Sequence, residues 1–349
     1  MQKINKHIEI VRSSIPSLSS MGEKSCDMIV QVLSKRYERV EVSAVCNTDD
    51  LAAVVKKQPD LVFLGLKSLP IGANSITTDS LSEWSSAYFD DNGLNYTGSN
   101  AKAIALDFSK PIAKQVVSDA GLKTAAYFTA SAGQYPTAAD LPLDFPLFIK
   151  PQNTGGGRGI GADSVARDFE AFTYKVSTLT SDFVGDALVE SYLPGREFSV
   201  AILENIDSDV LTVMPIEIIT DKNKQGDRIL GQKVKSDDTE HTIAVTNGVV
   251  RDKVVDLATK TFRALGARDY GRIDIRLDEQ GVAHFLEANL IPGIAFHDFT
   301  SYFTSACWIN EAMDYETMLL RIVDLALSRG KEKPIDIEDY LQEPILVLV

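Results

Sequence analysis

The sequence predicts an α/β unit followed by a larger α+β body. Three observations carry this. Val- and Leu-rich strands alternate with a helix over the first hundred residues, the pattern changes past a Gly-Ser-Asn turn at 98–100, and the second half mixes strands and helices around a hairpin through DEQG. HIEIV (7–11) reads as a strand, and GEKSCDMIVQVLSKRY (22–37) as a helix with Met28, Ile29, Val32 and Leu33 on one face. VEVSAV (40–45) and LVFLGL (61–66) read as further strands of a parallel sheet. AKAIALDFSKPIAKQVVSDAG reads as two helical segments broken near Ser109–Pro111, with Gly121 as a C-cap. FPLFIKP (145–151) is a strand, GGGRGIG (155–161) a loop or tight hairpin, and a helix is expected from about 164 to 177. LVESYL, REFSVAIL and DRILGQKV read as strands, and 250–266 as a helix. YGRIDIRLDEQGVAHFLEANL reads as a hairpin and MLLRIVDLALSRG (318–330) as a helix. The apolar tail PILVLV is expected to dock as a strand. These patterns divide the chain at 1–100, 101–186 and 187–349.

With 349 residues, the chain suits about two or three domains. It can bury about 75% of its unfolded surface without staples. Acidic residues outnumber basic ones, 49 to 35, for a formal net charge of −14. That excess argues against a non-specific nucleic-acid or anionic-membrane binder, which needs a basic face. It leaves room for a locally basic phosphate site. Cys26, Cys46 and Cys307 are widely spaced without CxxC, so neither a disulfide framework nor a zinc site is expected. MQKINKHIEIVRSS lacks the continuous apolar core of a signal peptide. No apolar run approaches the ~20 residues of a membrane span. The expectation is a cytoplasmic protein of a reducing compartment.

Three groups of residues could carry chemistry. Gly155, Gly156, Gly157, Gly159 and Gly161 follow a strand, and clustered glycines let backbone N–H groups approach phosphate oxygens. A flexible hairpin is the plainer reading of that loop; it is no Walker A motif and does not open a helix as a dinucleotide fingerprint would. Lys110, Lys150 and Lys233 form the second group. Lys150 ends an apolar strand, where an ammonium is costly unless an anion meets it. The third group is acidic. If DEQG closes a hairpin, Asp274 and Glu287 lie on neighbouring strands near Asn289, a hard-oxygen set suited to Mg²⁺. Hydrogen-bonded strand-end acids are the alternative. Arg272 shares the strand face of Asp274 and could stabilise developing negative charge. Together these elements suggest an Mg-ATP site.

Four ordered segments then carry a family resemblance: NYTGSNAKAIALDFSK, FPLFIKPQNTGGGRGIG, LVESYLPGREFSVAIL and DYGRIDIRLDEQGVAHFLEANLIPGI. The chain resembles the D-alanine–D-alanine ligase branch of the ATP-grasp superfamily, closely over 96–330 and more loosely before. The resemblance implies an ATP-grasp fold preceded by an N-terminal parallel-sheet domain, with ATP clamped between the central and C-terminal parts. By position it assigns Lys110 and Lys150 to the ATP phosphates and Gly155 to Gly159 to their covering loop. Glu190, Tyr192 and Leu193 fall to the adenine linker, Glu197 to the ribose and Lys233 to the γ-phosphate. Asp274, Glu287 and Asn289 match the Mg²⁺ ligands, and Arg272 the arginine at the transferred phosphate. The implied reaction phosphorylates a carboxylate, an amine attacks the acyl phosphate, and phosphate leaves. Glu23 matches the glutamate that holds the first substrate's ammonium, and Ser25 a nearby serine. A first-turn glutamate favoured by the helix dipole is the alternative for Glu23. Homodimerisation is implied by the family alone.

Departures fall on the substrate side. Gly156 stands where dipeptide ligases have a serine, Val234 where they have a tyrosine or histidine, and Asp298 where a serine helps bind the second carboxylate. KSLPIGAN replaces the family's glycine-rich acidic loop. Gly293 and His297 are further substrate-side candidates, with a structural role the alternative for His297, and Asp298 could instead cap the helix that begins in DFTSYF. The expectation is a carboxylate–amine ligase that does not use D-alanine as its amine. A true D-alanine–D-alanine ligase with a rebuilt pocket, a ligase joining two ends of one molecule, and a non-catalytic nucleotide sensor stay open as alternatives.

Overall fold

Apolar residues on both faces make the first strand, β1 (Ile4–Ser13), a central one, with Ile8, Ile10 and Val11 fully buried. The computed structural model describes residues 2–70, 82–183, 185–295 and 301–331. α1 (Glu23–Leu33) buries Cys26, Ile29, Val32 and Leu33 at helical spacing. β2 (Tyr37–Val45), α2 (Thr48–Lys56) and β3 (Leu61–Leu64) complete a parallel sheet of order β2–β1–β3. A short ribbon follows, β4 (Ser68–Pro70) with β5 (Ser82–Trp84), then α3 (Ser85–Asp91).

α4 (Ala101–Phe108) and α5 (Lys110–Asp119) break at Ser109, as expected. Pro111 sits in the first turn of α5, where its missing N–H costs nothing. Gly121, at φ +73°, ends that helix. A four-stranded antiparallel sheet comes next: β6 (Tyr127–Ala130), β7 (Leu147–Pro151), β8 (Val165–Ala166) and β9 (Ala187–Ser191), in the order β6–β9–β7–β8. α6 (Phe169–Asp182) covers it through Phe172, Val176 and Leu179. The helix expected from 164 thus starts later. Val165 and Ala166 pair with β7 instead, and Asp168 caps α6 by accepting the Ala171 N–H.

The rest builds on a five-stranded antiparallel sheet. Its strands are β10 (Glu197–Asn205), β11 (Ser208–Ile219), β12 (His241–Ala244), β13 (Tyr270–Leu277) and β14 (Ala283–Asn289), in the order β12–β11–β10–β13–β14. Helices α7 (Gln232–Asp237), α8 (Gly248–Ala264), α9 (Tyr302–Glu311) and α10 (Tyr315–Arg329) complete the chain. DRILGQKV is not the strand it was expected to be. Its second half opens α7, and Gly231 packs so tightly on the glycine-rich loop that a Cβ there would lie 2.5 Å from the Ile160 carbonyl oxygen. The Gln232 N–H donates to the same oxygen at 3.3 Å, so this segment pairs with the loop rather than with a sheet.

The turn at 98–100 is stitched to the C-terminal part. Buried Asp269 accepts the Gly98 N–H at 2.7 Å and a two-pronged pair from Arg329 at 3.1 Å, and the Arg268 side chain donates to the Gly98 carbonyl. α10 packs against both α1 and β3, and Asn95 donates to the Ala326 carbonyl at 2.7 Å. All three cysteines are free thiols. Among the described residues no helix is long and apolar enough to cross a membrane. The tail PILVLV lies outside the described residues. Asp269→Ala removes the carboxylate that both Gly98 and Arg329 use. It is expected to cost about 3–5 kcal/mol of stability, read as an earlier urea-unfolding midpoint; an unchanged midpoint would show that the stitch carries no weight.

Candidate functional site

A cleft of about 790 Å³ opens between the four-stranded and five-stranded sheets. At its closed end sits a buried charge cluster. Lys150 on β7 reaches Glu190 on β9, Nζ to carboxylate 2.8 Å. Lys114, wholly buried on α5, pairs with the same carboxylate and also donates to Thr124 Oγ1 at 2.6 Å. One turn earlier on α5, Lys110 lies 3.5 Å from Glu287 and donates to the Thr154 carbonyl at 2.5 Å. Burial pulls the Lys114 ammonium down to about 8, with Glu190 pulling the other way. Burial would raise the Glu190 carboxyl, but Lys114 and Lys150 outweigh it and hold it below the ordinary range. Lys150 also loses solvation, yet Glu190 and Glu287 keep it charged with its pKa raised. Two ammonium groups thus share one carboxylate.

Aromatic and apolar side chains line another part of the cleft. Tyr192 stacks on Phe148 with centroids 6.5 Å apart, and the Arg276 guanidinium lies 5.7 Å from the Tyr192 ring. Leu193 is buried beside them. Arg276 also holds Glu197 at 2.9 Å; burial raises the Glu197 carboxyl and Arg276 pulls it back.

The β13–β14 register sets Asp274 opposite Glu287 and Arg272 opposite Asn289. Arg272 grips Asp274 through two bonds of 3.0 Å. Ser199 donates to Asp274 at 2.6 Å and Asn289 at 3.3 Å. Burial alone would raise the Glu287 carboxyl, but Lys110, Lys150, Lys235 and Arg272 lower it to about 2. The glycine-rich loop uses left-handed backbone at Gly156, Gly157 and Gly159, conformations that L side chains rarely adopt. A second cavity of about 1360 Å³ adjoins the first, lined by Ser17 to Ser20, Lys67, Asp107, Asn289 and Gly293; Lys110, Arg158 and Glu287 line both.

A family profile described as D-ala D-ala ligase C-terminus matches residues 116–324. The chain belongs to the D-alanine–D-alanine ligase family. It is an ATP-dependent carbon–nitrogen ligase of the ATP-grasp fold. Among curated relatives, a D-alanine–D-alanine ligase of Xanthomonas axonopodis pv. citri is 30% identical over 240 residues, 67% of this chain and 70% of that protein. One of Alcanivorax borkumensis is 29% identical over 240 residues, covering 68% and 71%. The D-alanine–D-alanine ligase of Bacillus anthracis, solved in complex with ATP, superposes with a TM-score of 0.67 at 17% identity, covering 92% of this chain and 97% of that one.

Within this ligase, Lys110, Lys150, Glu190, Tyr192, Leu193, Glu197, Asp274 and Glu287 line one cleft, with Gly157 above them. Gly155, Gly156, Asn289 and Gly293 face the second cavity, and Arg272 lies beneath Asp274. Other residues do not converge. Lys233 lies on α7 rather than in a strand, is 88% exposed and pairs with Asp237. Lys235 lines the cleft instead. On a strand the two lysines would share a face, whereas on a helix they stand about 200° apart, so only one can turn inward. Val234, half-buried on α7, and Ser25, half-buried on α1, line neither cavity. Glu23 is 81% exposed, bonded to Arg12 at 2.8 Å, and lines neither. His297 and Asp298 lie outside the described residues, and α9 takes Ser301 as its N-cap. Sequence reasoning missed Lys114, Arg276 and Lys235. Helical spacing held the signal for Lys114, four residues beyond Lys110 on one face.

The Glu287 pKa is lowered in the folded state to about 2. Its carboxylate therefore adds stability that is fully present above the unfolded value of ~4.3 and is lost as pH falls toward 2. The stability gap between the wild-type ligase and Glu287→Gln is expected to close across that window in urea titrations; a gap independent of pH would contradict the assignment.

Proposed function

We propose that this ligase uses Mg-ATP to join a small carboxylic acid to an amine other than D-alanine. The nucleotide fits the site's own imbalance. Lys114 and Lys150 share one carboxylate, and Lys235 adds a further ammonium to the cleft lining. Buried cations in excess need an anion to complete them, and a polyphosphate supplies it. In this reading Lys110, Lys150 and the N–H groups of Gly155, Gly156 and Gly157 hold the phosphates, whereas Gly159 lines neither cavity and packs against Pro151, Leu179 and Phe183. Tyr192 and Leu193 take the base, and Glu197 the ribose hydroxyls. Lys235 occupies the cleft position that the family resemblance gives to Lys233. Asp274, Glu287 and the Asn289 amide offer the oxygen donors that suit Mg²⁺, which favours few carboxylates together with substrate phosphates. Arg272 stands at the transferred phosphate.

ATP supplies a leaving group: a carboxylate oxygen takes the terminal phosphoryl group as ADP departs, and the amine then displaces inorganic phosphate. The protein's part is to hold the groups in line and offset the charge that develops, through Lys150, Lys235 and Arg272. Gly155, Gly156 and Gly157 of the glycine-rich loop line the two cavities where they adjoin.

The observation that carries the choice of substrate is the place of Glu23. It lies exposed against Arg12, off both cavities. The carboxylates that line the second cavity among the described residues, Asp107 and Glu287, are already engaged by Lys67 and Lys110. No described carboxylate there is left to receive an amino acid's ammonium in the family manner. Gly156 removes the serine that would orient Glu23, and Asp298 would repel a second carboxylate by several kcal/mol if poorly solvated. A reducing, cytoplasmic setting belongs to the same reading.

The test is Mg-ATP-dependent phosphate release against a panel of acids and amines, with product masses. D-Alanine alone is expected to turn over at least ~100-fold more slowly than the best pair. D-Alanyl-D-alanine as the dominant product would overturn the substrate reading. With the productive pair, Arg272→Ala is expected to lose ~100-fold or more in kcat, the scale of one lost charge-stabilising group.

A further inference from the structure

We propose that Tyr302, braced by Glu240, is a positioning residue that holds Arg272 and Lys235 for the terminal phosphate. Two cations from different elements approach the ring of Tyr302. The Arg272 guanidinium, from β13, is 5.2 Å from its centroid, and the Lys235 ammonium, from α7, is 5.8 Å away. Both distances fall within cation–π range, and the ring is buried, where such contacts are strongest. The Tyr302 phenol donates to the Glu240 carboxylate, which is itself 4% exposed.

Glu240 makes little sense as packing alone. Its second oxygen is buried with no hydrogen-bond partner among the described residues. A buried carboxylate so thinly satisfied is costly. Its one bond goes to the phenol, and a carboxylate at the phenol hydrogen draws electron density toward the ring face that the two cations touch. Burial, reinforced by Glu240, pushes the phenol far above its ordinary pKa, so it stays a donor at any working pH. Glu240 thereby acts on Arg272 and Lys235 through the tyrosine.

Tyr302 is also fixed from its other side. Ser301 donates to the Gly293 carbonyl and Thr304 to the Ala295 carbonyl at 3.2 Å, so the start of α9 is tied to the loop beside the second cavity. Phe303, next in the helix, packs edge-on against Tyr270 at 5.7 Å. The aromatic platform thus joins the sheet, the lysine helix and the loop beside that cavity. Without it, Arg272 keeps its grip on Asp274 and both cations keep their attraction to Glu287, but no ring fixes how they are oriented.

The inference rests on the proposed place of Arg272 at the transferred phosphate. Calorimetric titration with Mg-ADP and with a β,γ-imido analogue of Mg-ATP reads it directly, because only the second carries the terminal phosphoryl group. Tyr302→Leu is expected to lower the analogue-over-ADP preference ~10-fold, and Tyr302→Phe, which keeps the ring, to stay within ~3-fold of wild type. Glu240→Gln, which keeps an acceptor but not the charge, is expected to lower it ~3-fold. A purely structural tyrosine would weaken both nucleotides together. If Arg272→Ala loses the preference while Tyr302→Leu keeps it, the positioning role is wrong and the place of Arg272 stands. If Arg272→Ala weakens both nucleotides equally, the place of Arg272 is wrong and the proposal falls with it. Should Tyr302→Leu not fold, Glu240→Gln decides: a lowered preference supports the role, and an unchanged one overturns it.

Discussion

Glu190 held between Lys114 and Lys150, all three buried, is the constraint on which the rest of the site depends. Each lysine comes from a different element, and loss of Glu190 would strand two buried ammonium groups. Breaking such a buried pair costs about 3–5 kcal/mol. The cluster therefore fixes α5 against β7 and β9, and with them the closed end of the cleft. It also fixes the sign of the local field. A chain with a net charge of −14 carries, at this one place, more ammonium groups than carboxylates. In a poorly solvated cleft that excess acts on a ligand far more strongly than the screened negative surface does.

The hairpin β13–β14 and the glycine-rich loop organise the chemistry around that field. The hairpin register sets two carboxylates side by side and a guanidinium across from an amide. The loop is tied to α7: Gly231 packs on Ile160, and the Gln232 N–H donates to the Ile160 carbonyl. Lys110, Thr154, Arg158 and Glu287 line both cavities. In the proposed function they mark the junction where a phosphoryl group would pass from one bound molecule to the next.

Much of this was legible in the sequence, for physical reasons. The alternation of apolar runs gave the parallel sheet, Ser109–Pro111 gave the helix break, and an ammonium in FPLFIKP marked a site needing an anion. DEQG gave the hairpin, and its register then brought Asp274 to Glu287. What stayed hidden depended on tertiary contact. DRILGQKV has strand-like composition, yet contact with the loop at Ile160 turns its end into a helix, and that change of period decides which lysine faces inward. Lys114 looks like a surface residue of an amphipathic helix until β9 places Glu190 against it. Glu23 has the right neighbours in sequence, but Arg12 draws it outward.

In the proposed function the two lysines and Glu190 act as one unit in holding the nucleotide. A double-mutant cycle on Mg-ATP affinity tests it most directly, with Lys114→Met, Lys150→Met and both together. Acting as a unit, the pair loses little more than the worse single variant, with a coupling of about 1–3 kcal/mol. Losses that simply add would mean that Lys114 and Lys150 hold the nucleotide independently, and would contradict the account.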